Sequence, residues 1–102
     1  MHGHTAIDHA THYGNLSEAN AHAFFGFLES AATHKFFASK SQRPFIITRS
    51  STLGSNKFAF HWTGDSFSNF DFLKSSISDI FLFQMWGIQM VGADICGFAG
   101  NV

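Results

Sequence analysis

The chain has 102 residues, 45% of them hydrophobic but only 13% charged, and a formal net charge of −1 with its 7 histidines neutral. That length allows one small domain. The charged share is about half of what a free-standing domain carries, and 14 phenylalanines make the composition read as the interior of something larger.

Nothing basic points to nucleic acid. The single cysteine, Cys96, excludes an intrachain disulfide and a multi-cysteine zinc site. The longest uncharged run, Ile80 to Ala93, is 14 residues and is broken by Gln84, Gly87, Gln89 and Gly92. It is too short and too polar for a membrane span. Met1-His2-Gly3-His4 has neither the basic start nor the apolar core of a secretory signal.

Residues 1–20 are polar and carry His2, His4, His9 and His12. Imidazole suits zinc, copper and nickel, but the spacings match no zinc motif and no thiolate is near. Loop histidines at a frayed terminus are expected, with 1–12 poorly ordered and no metal site. Asn20 to Lys40 reads as a helix, with Phe24, Phe27, Leu28 and Ala31 on one face. Pro44 excludes its continuation.

Pro44 to Arg49 reads as a buried strand, and Phe58 to Trp62 as the next. The eight-residue loop between them, Ser50 to Lys57, is short for a parallel crossover, and local rules alone give a hairpin. Asn69 to Trp86 reads as a second helix, with Ser68 as N-cap, Asp71 completing a capping box, and a stripe of Leu73, Ile77, Ile80 and Phe81. Gly87 ends it. Ile88 to Ala93 reads as a third strand.

Each apolar run ends in a charged residue: Arg49, Asp65, Asp94. From Pro44 onward the chain has only seven Asp, Glu, Lys or Arg residues, and these are three of them. In a parallel sheet the C-terminal ends of the strands share one rim, where α/β folds place their ligands. Two carboxylates and an arginine converging there suggest carboxylate chemistry on an oriented substrate. A structural ion-pair network at the rim, or an Asp capping the following helix, would leave the same spacing.

Arg43-Pro44-Phe45-Ile46-Ile47-Thr48-Arg49-Ser50, then His61-Trp62-Thr63-Gly64-Asp65, then Met90 to Phe98 resemble glycoside hydrolase family 31, the α-glucosidase family, in order and spacing. His22-Ala23-Phe24-Phe25-Gly26 is similar to the family's His-x-x-Tyr-Gly helix start, with Phe25 in place of tyrosine. The resemblance covers roughly residues 12–102. It implies an α/β fold: a slice of a (β/α)8 TIM barrel, strands five to seven with two helices. A whole barrel takes about 250 residues, so the remainder is expected upstream and downstream. The resemblance also allows the short connection between the fifth and sixth strands.

The chemistry it implies is retaining hydrolysis of terminal α-linked glucose from oligosaccharides, with two carboxylates roughly 5–5.5 Å apart and no cofactor. By motif, Asp65 matches the general acid/base. Arg49 and Trp62 match substrate-pocket positions, Asp94 an acid that orders the pocket, and Phe98 an apolar wall. His61 reads as packed rather than catalytic.

The nucleophile's Trp-x-Asp-Met-x-Glu motif and the histidine-containing eighth-strand motif match nothing here and are expected outside the chain, which on its own should be inactive. Ser66 replaces the family's usual Asn. In some relatives the cysteine at the position of Cys96 pairs with one further downstream. The alternative is a non-catalytic, sugar-binding or scaffolding relative that has lost its nucleophile. The resemblance allows lysosome, endoplasmic reticulum or secretion without choosing among them.

Overall fold

The computed structural model describes residue 7 and residues 9–100. Its sheet holds three parallel strands in the order β3-β4-β5. These are Ile47–Thr48 (β3), Phe60–Trp62 (β4) and Val91–Gly92 (β5). Ile47 pairs with Phe60 and Thr48 with His61; His61 then pairs with Val91 and Trp62 with Gly92. All three strands therefore end on one rim.

The strands are shorter than the apolar runs predicted, and this removes the difficulty of the short crossover. Eleven residues, 49–59, separate β3 from β4, close to the dozen a parallel connection needs. A 3-10 turn at Ser55–Lys57 folds that connection. Ser55 is its buried centre, 1% exposed, and its hydroxyl accepts from the Thr52 amide at 2.9 Å.

Ahead of the sheet, Thr11–His12 (β1) and Leu16–Ser17 (β2) form an antiparallel hairpin, followed by α1, Glu18–Ala21. A 3-10 turn, His22–Phe24, leads into α2, Phe25–Ser39. His12, read from sequence as a loop histidine, is a strand residue bonded to Glu18. Glu18 also takes a hydrogen bond from His22 Nδ1 at 2.6 Å. His2 and His4 lie outside the described residues, as do 1–6, 8, 101 and 102. Among the described residues no group of three His, Cys, Asp or Glu is placed to hold a metal, and no helix is long and apolar enough to cross a membrane.

The predicted face of α2 is only half right. Gly26 and Ser30 are buried, and Phe27 and Ala31 are half-buried beside them. Phe27 and His34 meet the ring of Phe58 at 5.5 and 5.7 Å, whereas Phe24 and Leu28 are exposed. Close approach decides this: a Cβ on Gly26 would lie 2.5 Å from Ser50 Cβ and 2.6 Å from its carbonyl oxygen. The helix can seat against the end of β3 only through glycine.

The second long helix, α3, is Phe70–Met85. Its cap is Asn69, whose side chain accepts from the Phe72 amide at 2.9 Å. Ser68 does not cap it; its own amide donates to Ala99. Gly87, with φ +83°, follows the helix as predicted. The stripe of Leu73, Ile77, Ile80 and Phe81 is exposed in this chain, and the residues half-covered are Ser76, Asp79 and Phe83. Only Ala21, Ala59 and Ile88 are fully buried apolar residues among those described.

The chain is a slab of 47 × 39 × 24 Å, with a Cα radius of gyration of 16.0 Å against about 13 Å for a compact domain of this length. Strands β3 and β5 are both open edges, which template pairing with other chains. The chain purified alone should therefore self-associate and bind a hydrophobic dye. A monodisperse monomer in light scattering, with no dye signal, would contradict this.

Candidate functional site

The rim at the ends of β3, β4 and β5 brings together Arg49, Trp62 and Asp94. The Arg49 guanidinium carbon lies 5.5 Å from the centre of the Trp62 ring, a cation–π contact. On the far side, Trp62 Nε1 donates to Asp94 Oδ1 at 2.9 Å. A single indole thus links residues from all three strand ends.

The other oxygen of Asp94, Oδ2, is buried and has no hydrogen-bond partner among the described residues. An orphaned buried acceptor costs about 1–3 kcal/mol and calls for a partner from elsewhere.

Asp65 stands on the same rim, three residues beyond Trp62, and is exposed. Gly64 between them is buried, at φ +89°. A Cβ there would meet Arg49 Nε at 2.6 Å and Nη2 at 2.9 Å. Arg49 reaches across Trp62 because Gly64 leaves the space. Phe98 is exposed, and its amide donates to Ser66 O at 2.8 Å. The segment after Asp94 is therefore tied to the segment after Asp65. Phe67 and Ala99 also form an isolated parallel bridge.

A cleft of about 470 Å³ lies between the N-terminal half of α3 and the 93–97 loop. Its walls include Phe67, Phe70, Phe72 and Leu73, and it reaches Asp94. Of the rim residues only Asp94 lines it; Arg49, Trp62 and Asp65 do not.

Sequence reading named Gly64 within its motif without a role, and missed Ser51. The first could have been singled out as the residue between a tryptophan and an acid at a strand end. The second has no sequence signal, because its partner is ten residues away: Ser51 Oγ and His61 Nδ1 are hydrogen-bonded at 2.8 Å. His61 is packed, as expected, 8% exposed and stacked on Phe83 at 4.0 Å between ring centres.

The family model described as the glycosyl hydrolases family 31 TIM-barrel domain matches residues 2–102. A probable alpha-glucosidase of Oryza sativa subsp. japonica is 46% identical over 93 residues, which are 90% of this chain and 10% of that protein. Alpha-xylosidase 1 of Arabidopsis thaliana is 45% identical over 95 residues, 92% of this chain and 10% of that one. The crystal structure of glucosidase II alpha subunit, in a form bound to alpha3-Glc2, superposes with a TM-score of 0.81 at 33% identity. It covers 89% of this chain and 10% of the subunit. The chain thus spans about a tenth of the length of each of these relatives.

Two outcomes test the site's geometry. Gly64→Ala would place a side chain at positive φ, a strain of about 1–2 kcal/mol, and would also push Arg49 off Trp62. Thermal unfolding should show at least that loss. An unchanged melting temperature would mean that Arg49 does not need the gap.

The second outcome concerns pH. Burial pushes the pKa of His61 below the ordinary histidine value, and the Thr48 backbone works the other way. The folded value then lies below the unfolded one, about 6.5. His61's contribution is fully present above about pH 6.5 and is lost as pH falls through the lowered value. Glu18 is also lowered, first by its His22 hydrogen bond and then by that of His12. Its contribution is lost in a separate, more acidic step, below the ordinary glutamate value of about 4.3. His61→Gln should flatten the upper step and leave the acidic one. Melting curves from neutral pH to about 3 would show whether one step or both disappear.

Proposed function

This chain belongs to glycosyl hydrolase family 31, and from that premise we propose that it forms the acid/base side of a retaining α-glucosidase barrel. It supplies strands five to seven of the eight, with two helices. The substrate is the terminal α-linked glucose of an oligosaccharide. The observation that carries this reading is the Arg49–Trp62–Asp94 chain of contacts across three parallel strand ends, with Asp65 on the same rim.

The proposed division of labour is supported by where these side chains stand. Asp65 is exposed at the mouth, where a sugar's leaving oxygen can reach it. As an acid it protonates the departing glycosidic oxygen, and as a base it then deprotonates the incoming water. The nucleophile that holds the glycosyl group between these steps comes from a part of the barrel outside this chain. Trp62 offers a flat apolar face beside the site. Arg49 lies against that face and offers its N–H groups to sugar oxygens. Asp94 Oδ2 accepts from a sugar hydroxyl or a basic neighbour, which resolves its missing partner. Phe98 forms an apolar wall. The open edges of β3 and β5 and the exposed stripe of α3 are the surfaces on which the rest of the barrel packs.

Relatives named for glucose and for xylose match almost equally, at 46% and 45%. A xyloside is therefore the second substrate to try, and inactivity of a folded enzyme on both would favour the sugar-binding alternative.

The test uses the complete enzyme and two leaving groups. A sugar alkoxide departs poorly without a proton, whereas a dinitrophenolate departs nearly unaided. Asp65→Asn should slow maltose turnover by about 10²–10⁴-fold. Glycosyl transfer from a dinitrophenyl α-glucoside should be far less affected, followed by slow hydrolysis of the covalent intermediate. Equal losses in the first step on both substrates would sink the acid/base assignment.

A further inference from the structure

The connection after β3 grips β4 from both faces. Successive side chains on a strand point to opposite faces, and the contacts follow that rule. On one face Arg49 lies over Trp62 and above Gly64. On the other, Ser51 is hydrogen-bonded to the ring of His61, the residue just before Trp62. Ser50, between the two, backs onto Gly26 of α2. The Thr48 hydroxyl donates to Ser50 O at 3.1 Å, which closes the bend.

His61 is itself held by several contacts. It is buried, stacked on Phe83 of α3, and paired through its backbone amide with Met90 O at 3.1 Å. The strand pairing at this point is short: β3 contributes only Ile47 and Thr48. Beyond Thr48 the ladder no longer fixes the chain, yet Arg49 must hold one place against Trp62.

We infer that the Ser51–His61 hydrogen bond is a positioning pair, which sets Arg49 on Trp62 and thereby the substrate-facing edge of the rim. Neither residue touches the reacting atoms. Ser51 acts through Arg49, and His61 anchors Ser51 to the sheet. The inference rests on the α-glucosidase reading for its kinetic consequence but not for its structural one.

Measurements on the complete enzyme test it. Ser51→Ala should lower kcat/KM for maltose by between about tenfold and a hundredfold, as sub-ångström to ångström misplacement of a binding group does. Ser51→Thr retains the hydroxyl and should restore it. His61→Asn, whose amide stands in for Nδ1, should retain more activity than His61→Leu and guards against a Ser51 variant that fails to fold. In an Arg49→Ala background, Ser51→Ala should add almost nothing, because its effect has already been removed. Additive losses, or a Ser51→Thr enzyme as impaired as Ser51→Ala, would overturn the inference.

Beside the kinetics, a crystal structure of Ser51→Ala is expected to show the guanidinium displaced from the indole. An undisplaced Arg49 would overturn the inference whatever the kinetics. A displaced Arg49 in an enzyme that cleaves neither glucoside nor xyloside would instead uphold the positioning pair and defeat the α-glucosidase reading.

Discussion

The indole of Trp62 is held from two directions, by a cation against its face and a carboxylate at its N–H. The rest of the rim depends on that grip. Strands of two and three residues supply few ladder hydrogen bonds, so backbone pairing alone cannot fix where their ends stand. The two contacts differ in kind. The hydrogen bond to an ionised acceptor is directional and strong, worth about 1.5–3 kcal/mol. The cation–π contact is broad, about 0.5–2 kcal/mol, and tolerates sliding. The first therefore registers β4 against β5, while the second only biases Arg49 and leaves it in need of further support.

That asymmetry explains how the charged groups sort. Asp94 is half-buried and committed to one partner through one oxygen, so its other oxygen has a fixed direction. Asp65 is exposed beyond a buried glycine, so it can approach a ligand from the solvent side. Two acids of the same chemical type thus have different surroundings, and the tasks proposed for them, one ordering and one proton-transferring, are consistent with that difference.

The rim was legible from sequence because charge is scarce here. When only seven charged residues follow Pro44, three at the ends of apolar runs stand out. The lengths of the strands were not legible. Pro44, Phe45 and Ile46 are as apolar as Ile47, and hydrophobicity does not say where a ladder begins. The faces of the helices were misread for a related reason. Periodicity reports which residues avoid water in the finished protein, and the stripe of α3 has no cover in this chain. On α2 the small residues Gly26 and Ser30 take the closest contact, and neither registers as hydrophobic. The capping of α3 moved by one residue: the Asn69 side chain takes the Phe72 amide, while Ser68 is tied through its own amide to Ala99, a contact 31 residues away that local rules cannot see.

Gly97 meets the backbone of Ser68 so closely that a Cβ would lie 2.6 Å from Ser68 Cα, and Phe98 and Ala99 both donate to Ser66 O. The stretch after Asp65 and the stretch after Asp94 are thus one mechanical part made from two distant pieces of chain. Exchanged singly, either stretch loses the surface it is fitted to. A chimera that imports one loop from a relative would bring a surface cut for a different mate, and the two acids would be carried apart. Directed evolution at this rim should draw its libraries across both stretches together.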